Sequence, residues 1–176
     1  MWPTELDFIS DTQIYQKVIQ EQIPAAQKFV WIATADIKNM HVHQNNKMVP
    51  FLKILSELMS RHIDVRLIHA KEPGPSFRQD FDRFPLLFNM ERLFCPRVHF
   101  KTVVIDGAFA YLGSANLTGA GMGAKKATRR NFENGIITQE TKLVSKIMDR
   151  FDQVWIGKHC PDCDRKIFCD SYKDMV

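Results

Sequence analysis

The chain has 176 residues, enough to bury one sizeable core and too few for two domains of ordinary size. With 45% hydrophobic and 25% charged residues it has a globular composition, which excludes a disordered tract or a disulfide scaffold as the starting assumption. The formal net charge of +4 is too small to imply a polyanionic partner by itself, so any such claim rests on where the basic residues lie.

The first stretch, MWPTELDFISDTQIYQ, has early acidic residues and lacks the basic head and apolar run of a secretory signal. Residues 11–23 carry Ile14, Val18 and Ile19 at helical spacing, with Ser10 or Asp11 as cap and Pro24 beyond, and predict a first helix. KFVWIATADI (28–37) is a short apolar run rich in β-formers, the pattern of a strand buried on both faces. A loop with His41 and His43 follows. Leu52, Leu55, Leu58 and Met59 then predict a helix over 49–62, and IDVRLIHA (63–70) alternates as a strand. A helix between two strands implies a parallel crossover.

KEPGPS (71–76) is a loop by its prolines and glycine, and FRQDFDRFPLLF after it is a short helix or an irregular piece. VHFKTVVID and AFAYLGS are separated by little more than Asp106-Gly107, a dipeptide favoured in tight turns, and predict a β-hairpin. A Gly-rich basic loop leads to a strand over 133–138 and an amphipathic helix over 142–155. Residues 1–156 thus read as one domain, with 157–176 as a Cys-rich tail packed on it. No apolar stretch approaches the roughly 20 residues of a membrane-spanning helix, so the expected location is the cytoplasm without stable membrane insertion.

The hairpin concentrates chemistry. His99 and Lys101, two apart on a strand, share a face. With Asp106 and Gly107 as the two turn residues, Lys101 opposes Leu112 and His99 opposes Ser114, which brings Asn116 toward the same edge. Asp106 lies seven strand residues from His99, roughly 24 Å, and so shapes the turn or makes a local salt bridge instead of touching the imidazole.

The series His99-x-Lys101, Asp106, Gly113-Ser114-x-Asn116 resembles the HKD motif of the phospholipase D superfamily, and NFENGII resembles the segment that supplies that family's supporting glutamate, here Glu133. The resemblance implies an α/β fold, a mixed sheet flanked by helices in an α-β-α sandwich. It also implies phosphodiester cleavage without a catalytic metal, through a covalent phosphohistidine. His99 would be the nucleophile, Lys101 and Asn116 would bind the nonbridging oxygens, and Ser114 would add a donor. Glu133 would accept a hydrogen bond from the second ring nitrogen of His99.

Expelling the leaving oxygen needs a general acid, which the family provides with a second motif. This chain has one motif. The implied solution is a homodimer whose two copies of His99 meet across a two-fold axis, ahead of His41, His43 or His69 in that role.

Lys125, Lys126, Arg129 and Arg130 lie between the hairpin and Glu133, where they would bind a polyanionic backbone by charge. The expected activity is therefore that of an endonuclease acting on DNA or RNA. The alternatives are a phosphatidyl hydrolase, for which FDRFPLLFNM (81–90) is the one candidate apolar surface although it reads better as core, and a non-catalytic nucleic-acid-binding module, against which the intact His, Lys, Asn and Glu set argues. Cys160-x-x-Cys163 followed by Cys169 resembles half of a zinc knuckle, with Cys95 as fourth ligand and His159 next in line. Zinc there would be structural, and reduced unliganded thiols or a disulfide made on isolation are the alternatives.

Overall fold

The computed structural model describes residues 6–169. Its centre is a seven-stranded mixed sheet in the order β1-β9-β8-β7-β2-β5-β6. Here β1 is Leu6–Ser10, β2 Phe29–Thr34, β5 Asp64–His69, β6 Glu91–Phe94, β7 Lys101–Ile105, β8 Phe109–Gly113 and β9 Asn134–Thr138. A separate hairpin pairs β3 (His41–Gln44) with β4 (Lys47–Pro50). The β2, β5 and β6 strands run parallel, and the rest of the sheet is antiparallel.

Helices cover both faces. One face carries α1 (Thr12–Ile14, continuing with π winding through Tyr15–Gln22) and α2 (Phe51–Ser60). Ile14, Val18, Ile19, Leu52, Leu55 and Leu58 from these helices bury against Val30, Ile32, Val65, Leu67 and Val103. The other face receives α4 (Thr141–Trp155), whose Val144 and Phe151 pack on Trp31, Ile68, Val104 and Ala110. Arg66 lies 5.2 Å over Trp31 and 5.1 Å over Trp155, so its guanidinium binds α4 to the sheet by cation–π contact. The expected α-β-α sandwich is present, and α2 makes the parallel crossover from β2 to β5.

Several local expectations give way to other structure. The loop expected around His41 and His43 is the β3–β4 hairpin, turned by Asn45 and Asn46 at φ 50° and 61°, a left-handed conformation that asparagine tolerates. Neither Ser10 nor Asp11 caps α1 through its side chain; instead the Gln13 side chain accepts the Ser10 N–H at 3.1 Å. The segment after 71–76 is α3 (Pro75–Asp82) and a 3-10 turn (Pro85–Asn89). Within 81–90, Phe81, Leu87 and Met90 join the core as expected, while Leu86 and Phe88 face solvent.

The β7–β8 hairpin forms with its register displaced by one residue. Asp106 and Gly107 both take positive φ, 56° and 68°, and Ala108 stands as an extra turn residue, so Ile105 pairs with Phe109 and Lys101 with Gly113 instead of Leu112. The Asp106 carboxylate then does more than shape the turn. It accepts the backbone N–H groups of Gln27 at 2.9 Å, Lys28 at 2.8 Å and Phe29 at 2.9 Å, while its own N–H donates to the Phe29 carbonyl at 3.1 Å. The salt-bridge alternative is not taken up: no ion pair among the described residues involves Asp106.

Three donors held by one carboxylate predict that Asp106→Ala lowers stability by about 2–3 kcal/mol, the scale of lost charge-assisted hydrogen bonds. Urea titration of both proteins reads the difference; a loss below about 0.5 kcal/mol would show that water replaces the carboxylate at no cost.

Candidate active site

One end of the sheet gathers the end of β2, the start of β7, the end of β8, the start of β9 and the end of β1, because Ala33 pairs with Thr102, Lys101 with Gly113, Gly113 with Gly135, and Asn134 with Ser10. His99 stands just ahead of β7, exposed, next to the buried Val98 that anchors its backbone. Lys101 is only 7% exposed. Its Nζ donates to the His99 carbonyl at 2.6 Å and lies 3.3 Å from His99 Nδ1. Burial pushes the ammonium below the ordinary lysine range, partly offset by the negative charge of Glu133. No carboxylate stands within ion-pair distance of Lys101 among the described residues.

The structure brings Asn116 to the end of β2. Its Oδ1 accepts the Asp36 N–H at 3.0 Å, which leaves the Nδ2 group as the end free to donate. The Thr34 hydroxyl locks this junction, donating to the Asp36 carbonyl at 2.7 Å and accepting the Leu117 N–H at 3.0 Å. Thr34, 1% exposed and polar at a strand end, is a residue that sequence reasoning missed.

Glu133 is at the same end but in a different hydrogen bond from the one expected. Its carboxylate accepts from the Ser114 hydroxyl and from Asn131 Nδ2 at 3.0 Å, and no hydrogen bond joins it to His99. Its backbone is held by Asp11: the Glu133 N–H donates to Asp11 Oδ1 at 2.9 Å, and the Asp11 N–H donates to the Glu133 carbonyl at 2.9 Å. Asp11, at φ 48°, is thus a positioning residue where a helix cap had been expected.

Gly113 has a steric reason to lack a side chain. A Cβ there would lie 2.2 Å from the Tyr111 hydroxyl and 2.8 Å from the Asn134 carbonyl, and one at Gly135 would lie 2.6 Å from the Tyr111 ring. The two glycines let the tyrosine lie flat beneath the site. Its hydroxyl is buried, and that burial raises it to about 12 against the lowering effect of the Ala115 backbone, so it remains protonated.

Of the alternative acids, His69 is 3% exposed, with Nδ1 3.0 Å from the Lys71 carbonyl and its ring edge-on to Phe94. Burial lowers its basicity, the signature of a packed neutral ring. His41 and His43 point outward from the β3–β4 hairpin, and no hydrogen bond links either side chain to His99. Lys125, Lys126 and Arg129 are exposed and Arg130 partly so, and none of the four enters an ion pair among the described residues.

The cysteines converge elsewhere, at the end of β6. Cys95, Cys160 and Cys163 line one cavity with His159, and Cys169 Sγ donates to the Phe94 carbonyl at 3.3 Å. Among the described residues no three ligating side chains stand close enough to hold a metal ion, so the expected segments meet without forming a ligand cage. Residues 170–176 of the tail lie outside the described residues. Arg97 hydrogen-bonds Cys163 and lowers its thiol, while burial and the neighbouring thiols raise Cys160.

Comparisons with known proteins fit this geometry. Residues 19–155 match the family model described as cardiolipin synthase, phospholipase D-like domain. No curated protein matches. Among solved structures, the chain resembles Nuc, a phospholipase D family member from Salmonella typhimurium, with TM-score 0.64 at 14% identity over 87% of this chain and 95% of that one. NucT from Helicobacter pylori matches with TM-score 0.60 at 17% identity over 85% and 95% of the two chains. Phosphatidylserine synthase from Haemophilus influenzae Rd KW20 matches with TM-score 0.56 at 15% identity, over 86% of this chain and 39% of its own. These likenesses establish the fold.

The cysteine geometry yields a direct expectation. At neutral pH the lowered Cys163 has the larger thiolate fraction, so iodoacetamide should label it faster than Cys160, and Arg97→Ala should slow Cys163 selectively. Peptide mass spectrometry over a time course measures both rates; equal labelling of the two thiols would refute the assignment.

Proposed function

The chain belongs to the phospholipase D superfamily, and on that premise we propose that it is a phosphodiesterase cleaving nucleic-acid backbones through a covalent phosphohistidine on His99, without a catalytic metal ion. The observation that carries the reading is Lys101, an ammonium 7% exposed with no carboxylate paired to it among the described residues, 3.3 Å from the imidazole of an exposed histidine. A buried cation without a counterion is costly, and an incoming phosphodiester anion supplies one.

In the reaction, a neutral ring nitrogen of His99 attacks phosphorus as the bond to the leaving oxygen breaks. Lys101 and the free Asn116 Nδ2 stabilise the nonbridging oxygens, with the charge where it develops. The imidazolium of His99 in a second copy of the chain donates its proton to the leaving oxygen. Water then attacks the phosphohistidine, giving its proton to that second imidazole and restoring both rings. To serve the nucleophile's other nitrogen, Glu133 would exchange its present hydrogen bonds with Ser114 and Asn131 for one from the His99 ring.

Lys125, Lys126, Arg129 and Arg130, none of them in an ion pair among the described residues, support nucleic acid as the substrate, since they form a basic loop joined on both sides to site residues. The description of the matching family model, cardiolipin synthase, favours a second reading in which the phosphodiester is that of a phospholipid.

Single- and double-stranded DNA, RNA and phospholipid vesicles, each incubated in excess chelator, separate the two readings. Nucleic-acid hydrolysis is expected to persist with chelator and to fall roughly ten-thousand-fold or more in His99→Ala. Activity that survives this substitution would end the mechanism, and vesicle hydrolysis alone would select the lipid reading. Light scattering should find the active species dimeric; a fully active monomer would require another acid.

The pH profile tests Lys101. Its proton leaves below the ordinary lysine value of 10.5, so activity should fall on the alkaline side before an unburied lysine would deprotonate. Lys101→Arg should move that limb upward whatever its effect on the maximal rate. An alkaline limb that Lys101→Arg leaves in place would exclude this ammonium as its source.

A further inference from the structure

Phe132 is 97% exposed, against 66–67% for Phe8, Phe88 and Phe168, the other phenylalanines that face solvent. An aromatic ring so completely hydrated adds nothing to the core, and at most positions an exposed apolar residue needs no explanation. Here the backbone on either side is fixed. The Asn131 N–H donates to the Ala120 carbonyl at 3.1 Å, and Glu133 is bonded to Asp11 through both its N–H and its carbonyl at 2.9 Å. The Asn131 side chain closes over the peptide by donating to Glu133 Oε1 at 3.0 Å. The ring is therefore presented from a pinned segment, between the candidate glutamate and the basic loop.

We propose that Phe132 is a stacking platform for one base of a single-stranded nucleic acid whose backbone crosses the site, an inference that rests on the nucleic-acid reading above. Charge chooses the partner: the loop that leads into Phe132 carries Lys125, Lys126, Arg129 and Arg130 without carboxylate partners among the described residues, and a phosphate chain running along it brings bases within reach of the ring. A membrane requires a continuous apolar face, whereas the immediate neighbours of Phe132 are Asn131, Glu133 and Asn134. A ring whose sequence neighbours are polar suits one planar base. In duplex nucleic acid the bases are stacked on one another, so the platform selects unpaired strands.

The test separates stacking from charge. In a His99→Ala background that prevents turnover, full-length protein is titrated with a fluorescent single-stranded oligonucleotide and with an abasic strand of the same length and charge. Phe132→Ala should weaken the natural strand about tenfold and leave the abasic strand unchanged, while Phe132→Trp should retain binding and show quenched indole fluorescence with the natural strand alone. Equal weakening of both strands, or loss of anionic-vesicle binding with oligonucleotide binding intact, would overturn the proposal. So would dissociation of a dimer by Phe132→Ala, seen by light scattering, which would assign the ring to a contact between copies. If wild-type protein binds neither strand, the nucleic-acid reading falls and Phe132 falls with it; if it binds both equally and Phe132→Ala changes neither, only the platform fails.

Discussion

The functional end of the sheet depends on the register of the β7–β8 hairpin, and Asp106 holds that register from the opposite end. Its carboxylate accepts three consecutive N–H groups at the entrance to β2, which fixes the turn against the strand that neighbours β7. Because side chains alternate with period two, a one-residue slip would turn every β7 side chain to the other face. His99 and Lys101 would turn together, and the position opposite Lys101 would no longer be Gly113. The motif aspartate is thus remote from the candidate site and yet sets the phase of its residues.

The opposite end is organised by backbone donors, neutral side chains and the Asp11 carboxylate. Asp36 N–H takes the Asn116 oxygen, Ser114 and Asn131 take the Glu133 carboxylate, and Asp11 takes the Glu133 backbone. Each bond removes one rotational freedom from a group near His99 while leaving the buried Lys101 ammonium without a direct ion-pair partner. The site is consequently rigid in its supports and electrostatically incomplete at its centre, the arrangement that favours an anion arriving from outside. Tyr111, flat beneath two glycines, fills the floor with a group too weakly acidic to compete for that role.

Much of this was legible in the sequence, because the parts that carry chemistry have strong local signals. The buried strands β2 and β5 read as apolar runs, α2 and α4 as amphipathic stripes, and the fixed spacing from His99 to Asn116 as a family motif. Short or edge strands were not legible. The β1 strand exposes Leu6, Asp7 and Phe8, and β3 buries only Val42, so neither displays a periodic apolar face. The extra turn residue Ala108 is equally silent, since Asp-Gly serves two- and three-residue connections alike. Side-chain partners at long range, such as Asp11 with Glu133, 122 residues apart, exist only once the sheet order is known.

The two classes of positive charge contribute differently. Opposite unit charges about 4 Å apart interact by about 4 kcal/mol in a partly buried setting and about 1 kcal/mol in water, so on the proposed reading Lys101 would bind a phosphate more firmly than any exposed residue of the basic loop. The loop charges act through solvent and are screened beyond roughly 10 Å at 0.1 M salt. On the proposed reading they would concentrate and align a polyanion before contact, and Lys101 and Asn116 would then define which phosphorus His99 meets. On the proposed reading, such a division would let a chain with a net charge of only +4 act on a highly charged substrate, because the charge is local: three exposed and one partly exposed basic residue on one loop, and one buried ammonium.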